Sequence, residues 1–372
     1  MRWFRRWLRS VVVLLLTVPL FLFALLTIIG NNLKDNYIED KTFYDFKQKF
    51  IGNVLNEKSF EPLFHLRRNS TGLPISEWRS SVKYNQLLDI NDFDFVRNCS
   101  HLCDKTTQPF LVTVVHSSPK NFLKREVIRK TWGSLKTVNG FNVITVFIVG
   151  LVNDSTVDRL LHKEYLTHRD LVFAKFVDSY QNLTYKHLTT YKWVLRFCNK
   201  TKFIMKSDDD SFIDIFRALK VLSETFYSEL HNQNPRNIIA CSLFPEGTPP
   251  KREGKWSLSL KQYPYRTYPA YCSGVAYFLT PDVAFDLLEA AHKIKPVLPI
   301  DDVFVTGIVA SYLNILHFPL NLKYVYDDKR LREWLYDSNM RPNSYMIADI
   351  GDVSDWQSLM TRLWIKTVRT WS

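Results

Sequence analysis

The sequence predicts an α/β domain with a mainly parallel central sheet over residues 108–372, preceded by one N-terminal transmembrane helix. Three observations predict it. From residue 108 onward, short apolar runs rich in β-branched residues alternate with segments of helical periodicity. Residues 11–29 contain no charge. The composition, 46% hydrophobic and 23% charged over 372 residues, is that of a chain that buries a core and excludes a disordered one.

Residues 1–10 read as a cytosolic tail carrying Arg2, Arg5, Arg6 and Arg9 and no acid. A helix over 11–29 would span roughly 28 Å at about 1.5 Å per residue, close to a bilayer core. The positive-inside rule then places everything after Gly30 across the membrane. Pro19 is tolerated in such a helix. No small-x-small cleavage site follows, which favours an uncleaved signal-anchor over a removed signal peptide. Residues 30–107 balance eleven basic against eleven acidic residues without sustained periodicity, and read as a luminal stem.

All five cysteines follow the anchor, where disulfides are allowed. Five is odd, so at least one is free or pairs between chains. Cys99 and Cys103 have no second Cys/His pair beside them, so a disulfide or free thiols is favoured over a metal site. Glycosylation sequons begin at Asn69, Asn98, Asn153, Asn182 and Asn199.

The elements of the domain follow in order. Residues 110–115 are a buried strand and 121–132 a helix stopped by Gly133. Residues 143–149 are a second strand ended by Gly150, with a helix over 155–167. A third strand covers 171–177 and a helix 183–197. A fourth strand, starting at 203–205, leads into Lys206-Ser-Asp-Asp-Asp210. Ligands of such sheets lie beyond the strand C-termini. With only 11 glycines and no G-x-G, there is no glycine loop for phosphate. A phosphate ligand would need side chains or a metal. The absence of G-x-S-x-G and H-E-x-x-H leaves serine hydrolases and zinc proteases without motif support.

Four constellations carry candidate chemistry. In an extended backbone Asp208 and Asp210 share one side, an oxygen-rich site suited to Mn²⁺ or Mg²⁺ that could bridge to a diphosphate. The bland reading is an acidic turn capping the next helix. Asp301 and Asp302 stand at a helix start, as cap and dipole charge or as a general base. The aromatic stretch Tyr268–Tyr277, interrupted by Gly274, fits either a core strand or a sugar-stacking surface. Arg125 and Arg129 share a helix face that meets either a nucleotide phosphate or solvent.

These pieces stand in an order that resembles the Golgi β-1,3-glycosyltransferases, most closely their β-1,3-galactosyltransferase branch. The matching segments are Arg125-Glu-Val-Ile-Arg-Lys-Thr-Trp132-Gly, Phe147-Ile-Val-Gly150, Asp178-Ser-Tyr-Gln-Asn-Leu-Thr-Tyr-Lys186, and Trp193 to Cys198. Lys206-Ser-Asp-Asp-Asp-Ser-Phe212, Lys255-Trp256, Tyr268-Pro-Ala-Tyr-Cys-Ser-Gly274 and Asp301-Asp302-Val303 follow.

The resemblance implies a GT-A-type domain, a UDP-sugar donor, Mn²⁺ at the aspartate motif and transfer with inversion. Carried over, Asp208 and Asp210 are metal ligands, and Arg125, Arg129, Lys206 and Asp209 belong to the donor site. Asp302 is the catalytic base. Trp256, Tyr271, Gly274 and Asp301 line the substrate pocket, Asp301 standing where the family has glutamate. The family's late metal-binding histidine is missing near residues 345–350, where Asp349 or a water stands in. Asn182 lies inside a family motif and is expected to be unmodified.

The leading expectation is a Golgi type II membrane enzyme moving galactose to a glycan on glycoprotein or glycolipid. N-acetylglucosaminyl or N-acetylgalactosaminyl transfer, and an inert luminal relative that binds glycans or escorts another transferase, are the alternatives. A nucleic-acid partner fits only the raw charge of +12, of which +4 flanks the anchor and +8 lies beyond residue 107.

Overall fold

The computed structural model describes residues 94–103, 108–227, 235–336 and 345–371. The anchor, the stem up to residue 93 and the Asn69 sequon lie outside the described residues. Among the described residues no helix is long and apolar enough to cross a membrane. The strands are β1 (Phe95–Arg97), β2 (Leu111–His116), β3 (Thr137–Val138), β4 (Phe141–Leu151), β5 (Leu171–Val177) and β6 (Phe203–Asp208), then β7 (Ser211–Ile213), β8 (Ile239–Phe244), β9 (Tyr271–Leu279), β10 (His317–Pro319), β11 (Tyr324–Val325) and β12 (Ile347–Asp349). The longer helices are α1 (Phe122–Lys130), α2 (Ser155–His168), α3 (Leu183–Phe197), α4 (Ile215–Phe226), α5 (Pro281–Ala291), α6 (Asp328–Tyr336) and α7 (Trp356–Trp371).

The main sheet runs β1-β5-β4-β2-β6-β9-β8-β10, with β3 on β4. Its heart is the parallel set β5, β4, β2 and β6. Every residue of β2 is buried, which explains the unbroken apolar run: both faces of a parallel strand are covered by helices. Beyond β6 the sheet changes character, because β9 pairs antiparallel with both β6 and β8. The expected mainly parallel sheet is therefore a mixed one. The helix α4 carries the chain to β8, which keeps the direction of β6, and β9 then returns between them without a crossover helix.

The expected boundary at residue 108 also moves. β1 pairs with β5 as an edge strand, and Cys103 is disulfide-bonded to Cys198, so residues 95–103 belong to the domain. A three-residue strand offers no periodicity to read. A second disulfide joins Cys241 of β8 to Cys272 of β9, leaving Cys99 buried and free.

A small second sheet, β11-β12-β7, extends the strand that follows the aspartate run. Its register sets Asp349 opposite Ser211, and the Ile350 N–H donates to the Asp210 carbonyl at 2.9 Å. The core is packed between sheet and helices by residues such as Val112, Val146, Ile148, Leu188, Trp193, Leu279 and Leu287.

Candidate active site

Parallel register carries the chemistry to one edge. His116 at the end of β2 aligns with Asp208 at the end of β6. Asp208, 40% exposed, accepts from the Lys206 ammonium at 2.6 Å. Asp210, 31% exposed, faces the Lys124 ammonium at 3.4 Å. β6 ends at Asp208, and Asp209, in the turn that follows, is buried and accepts from Ser117 Oγ (2.7 Å) and Asn121 Nδ2 (2.8 Å). The capping reading of the run is excluded, because α4 is capped by Asp214. Partial desolvation first, then Asp210 and Asp301, push the Asp208 carboxyl up against the pull of Lys206, an effect its 40% exposure tempers. Enclosure and Asp210 push Asp349 up to about 6.

These acids repel one another at an accessible edge, which is a setting that suits a hard divalent cation. Among the described residues no three His, Cys, Asp or Glu side chains are placed to hold an ion by themselves. Asp208 and Asp210 would supply two carboxylates to such an ion and leave its other positions to non-protein ligands.

The second carboxylate pair comes from a distant part of the chain. Val303–Val309 is a π-helix whose cap is Asp302. Thr306 locks it onto β9: its hydroxyl accepts from the Cys272 N–H (2.9 Å) and donates to the Asp302 carbonyl (2.7 Å). Close approach requires Gly307, where a Cβ would lie 3.0 Å from that of Tyr271. Between Cys241 and Leu243 the β8–β9 register slips, which frees the backbone of β9 around Gly274. The Gly274 N–H donates to Asp302 Oδ2 at 3.1 Å, while its carbonyl accepts from Lys206 at 2.5 Å. One glycine thus ties the Asp208 edge to Asp302. A Cβ there would sit 3.2 Å from the same Oδ2.

Burial first, and Asp301 second, push the Asp302 carboxyl up. Asp301 goes the other way: burial would raise it, but Lys206 and a 2.7 Å hydrogen bond from His187 outweigh burial and hold it down. Tyr271 is buried, stacks on Phe244 at 4.9 Å and feels Asp302. The Tyr268 hydroxyl is buried, has no hydrogen-bond partner among the described residues and also feels Asp302. Trp256 is 48% exposed on the β8–β9 connection, with the Lys251 and Lys255 ammonium groups 4.5 and 5.3 Å from its ring centre.

Several expected site residues are used elsewhere. Arg125 is fully buried and pairs with Glu164 through Nε (2.9 Å) and Nη2 (2.7 Å). Arg129 binds Asp170 through two hydrogen bonds and Glu164 at 2.7 Å. Neither guanidinium is presented to a donor. The shared helix face pointed at α2 and β5, a third possibility beside phosphate and solvent. Arg125 does reach the site indirectly, through Ser117 Oγ to Asp209. Asp209 and Lys206 are likewise buried supports, and Asp301 turns inward to His187 instead of lining the pocket.

Sequence reasoning missed Ser117, Lys124, Glu164 and His187. His187 had a legible signal. Thr184, His187 and Tyr191 fall on one face of α3, a polar stripe that is itself buried.

Of the sequons, Asn153 and Asn199 are exposed and Asn98 is half-buried. Asn182 donates its Nδ2 to the Val177 carbonyl at 2.8 Å, so the atom that would carry a glycan is engaged.

Residues 123–321 match the family described as Galactosyltransferase. The chain is 33% identical over 243 residues to UDP-GalNAc:beta-1,3-N-acetylgalactosaminyltransferase 1 of Mus musculus, across 62% of this chain and 67% of that protein. It is 34% identical over 214 residues to Beta-1,3-galactosyltransferase 5 of Pan paniscus, across 57% and 67%. A solved glycosyltransferase involved in glycosylation of the major capsid of PBCV-1 is similar at a TM-score of 0.37 and 10% identity, over 68% of this chain and 99% of that one. That likeness is too loose to add to the topology.

Proposed function

The chain belongs to the galactosyltransferase family and is a β-1,3-glycosyltransferase, and from that premise we propose that it moves galactose from UDP-galactose to a hydroxyl of a glycan acceptor, with inversion. The observation that carries the mechanism is the link through Gly274: Lys206 holds Asp208 to its carbonyl, and its N–H holds Asp302. A donor-side and an acceptor-side carboxylate are thereby fixed on one edge of the sheet.

Asp302 accepts the proton of the acceptor hydroxyl as that oxygen attacks the anomeric carbon. The new C–O bond forms on the face opposite the breaking bond to UDP, so one base suffices and no covalent enzyme intermediate is needed. The raised proton affinity of Asp302 matches that role. The unpaired Tyr268 hydroxyl offers a partner to a substrate hydroxyl beside it. Asp208 and Asp210 would hold the divalent cation, Mn²⁺ in our reading. When bound, such an ion supplies neutralising charge for the departing diphosphate.

We place the enzyme in the Golgi membrane as a type II protein whose domain faces the lumen. The two buried disulfides support an oxidising compartment. N-acetylgalactosaminyl transfer is the second reading, favoured by the comparable identity to a UDP-GalNAc enzyme. The inert-relative reading keeps its motive, because Asp349 stands opposite Ser211 but among the described residues no three His, Cys, Asp or Glu side chains are placed to hold an ion.

The test is transfer by the full chain in detergent across UDP-galactose, UDP-N-acetylgalactosamine and UDP-N-acetylglucosamine with Mn²⁺. The expected outcome is transfer from UDP-galactose, with Asp302→Asn slower by roughly 10²–10⁴-fold and UDP binding kept. Full activity in Asp302→Asn would overturn the base, and no Mn²⁺-dependent UDP binding would overturn the enzyme mechanism.

A further inference from the structure

Behind Asp302 lies a buried polar chain that the transfer chemistry does not use. His187 Nδ1 and Asp301 Oδ2 are 2.7 Å apart, and both groups are buried. On its other side His187 Nε2 meets the hydroxyls of Tyr277 and, at 3.1 Å, Tyr191. Those two hydroxyls are 2.6 Å from each other. Either tyrosine can donate to Nε2 and accept from the other, and in both arrangements the remaining proton sits on Nδ1. With Nε2 accepting from a tyrosine hydroxyl, the Nδ1–H donates to Asp301, which is then a carboxylate. The His116 ring packs edge-on against His187 at 5.4 Å, adding no acid to the chain.

We propose that His187 is a positioning residue for the transfer: it holds Asp301 as a fixed, inward-facing anion beside Asp302, and this couple sets the pH range over which Asp302 works as the base. The proposal rests on the glycosyl-transfer reading for its kinetic consequence only. Asp301 is one residue from Asp302, yet its bond to His187 turns it away from the substrate. Its fixed charge disfavours a second anion next door, so Asp302 holds a proton more tightly and removes one from an alcohol more readily. Burial keeps His187 neutral, so the imidazole donates without cancelling the charge it orients.

Other groups also face the pair. From β6, Lys206 acts on both carboxylates. Asp208 and Tyr180 approach Asp301, and Tyr180 approaches Asp302 as well. Tyr268, Tyr271 and Tyr326 face Asp302, with the N–H groups of Gly274 and Val303 on its oxygens. Tyr191 and Tyr277 complete the surroundings of Asp301. Lys206 is the cation among them, and it remains in every variant below.

The experiment titrates the full chain labelled with ¹³C at the aspartate carboxyls, alongside pH profiles of kcat/KM. In Asp301→Asn the Asp302 resonance and the acid limb of the profile should both move down by about one pH unit or more, and the plateau rate should fall roughly tenfold. His187→Asn, whose amide replaces the Nδ1–H, should stay near the parent. His187→Leu should move with Asp301→Asn. Donor KM should hold in all three.

An Asp302 resonance that titrates at the parent pH in Asp301→Asn overturns the proposal, as does identical behaviour of His187→Asn and His187→Leu. If these variants fail to fold, the ¹⁵N shifts of His187 in the parent decide: a neutral ring protonated at Nδ1 between pH 6 and 8 supports it, and an Nε2–H tautomer or an imidazolium overturns it. If the parent transfers from no UDP-sugar, the function reading fails, and the carboxylate and ¹⁵N signals still judge this one.

Discussion

Replacing Glu164 by glutamine separates two accounts of Arg125 and Arg129. In the structure the Glu164 carboxylate accepts from Arg125 at 2.9 and 2.7 Å and from Arg129 at 2.7 Å. Glutamine keeps the shape but not the charge. Arg129 retains Asp170, whereas Arg125 is left buried with only neutral acceptors, namely Ser117 and the Ser118 and Pro119 carbonyls. Removing one partner of a buried pair costs about 3–5 kcal/mol. For a domain of this size that is a fall of roughly 10 °C in the melting midpoint. The assay is thermal unfolding of the full chain followed by near-ultraviolet circular dichroism, beside calorimetry of UDP with Mn²⁺. A large loss of stability with UDP affinity unchanged in the folded fraction is expected. A midpoint unchanged within a degree, together with weakened UDP binding, would refute the buried-network account and return both arginines to the donor site.

The sign of the pH effect adds a second readout. Burial would raise Glu164, but Arg125 and Arg129 outweigh it and hold the carboxyl low. A depressed acid contributes stability above its unfolded value of about 4.3, and that contribution is lost as pH falls through the folded value. The gap between parent and Glu164→Gln should therefore be constant at neutral pH and close below about pH 4.

Three further outcomes follow from the geometry. Gly274→Ala pushes a methyl against Asp302 Oδ2, 3.2 Å from the ideal Cβ, and should lower kcat about tenfold for a barrier change near 1.4 kcal/mol, with little loss of stability. Stopped-point transfer assays and melting curves check it. Replacing both cysteines of Cys103–Cys198, a separation of 95, by serine should destabilise by about 4.7 kcal/mol, against about 3.7 kcal/mol for Cys241–Cys272, separation 31; denaturant titration compares them. Peptide mass spectrometry after enzymatic deglycosylation should find glycan at Asn153 and Asn199 and none at Asn182, whose Nδ2 is engaged by Val177.

The elements with strong periodicity were legible before the structure. Strand 171–177 and helix 183–197 appear with those bounds, because both are buried along a full face and announce it in their apolar spacing. β6 runs to Asp208, beyond the apolar stretch, since Lys206 and Ser207 are buried by partners that spacing does not reveal. The extended backbone expected through Asp210 is absent: β6 ends at Asp208, and Asp209 and Asp210 form a turn, so it is Ser117 and Asn121 that hold Asp209 apart from the other two. The fates of Arg125, Arg129 and Asp301 were not legible, because each is decided by a side chain 39 to 114 residues away. The antiparallel half of the sheet was hidden for a similar reason: the direction of β9 depends on which neighbour its edge finds.

A site with Asp208, Asp210, Asp301 and Asp302 gathered at one sheet edge risks holding its protons and losing its function. The structure resolves this by giving the acids different partners. Asp208 has the Lys206 ammonium at 2.6 Å, and Asp210 has that of Lys124 at 3.4 Å. Asp301 has the neutral imidazole of His187. Asp302 is met at its oxygens by the backbone N–H groups of Gly274 and Val303. Those dipoles orient a carboxylate without carrying the full charge that would bind the proton's competitor permanently. Asp301 is thereby held low as an anion, while its neighbour Asp302, buried beside that charge, is pushed up. The uneven partnering follows from topology. Lys206 is on β6, beside Asp208, and reaches β9 only because the slipped β8–β9 register frees Gly274. The same slip that interrupts the sheet therefore joins the Asp208 edge to Asp302.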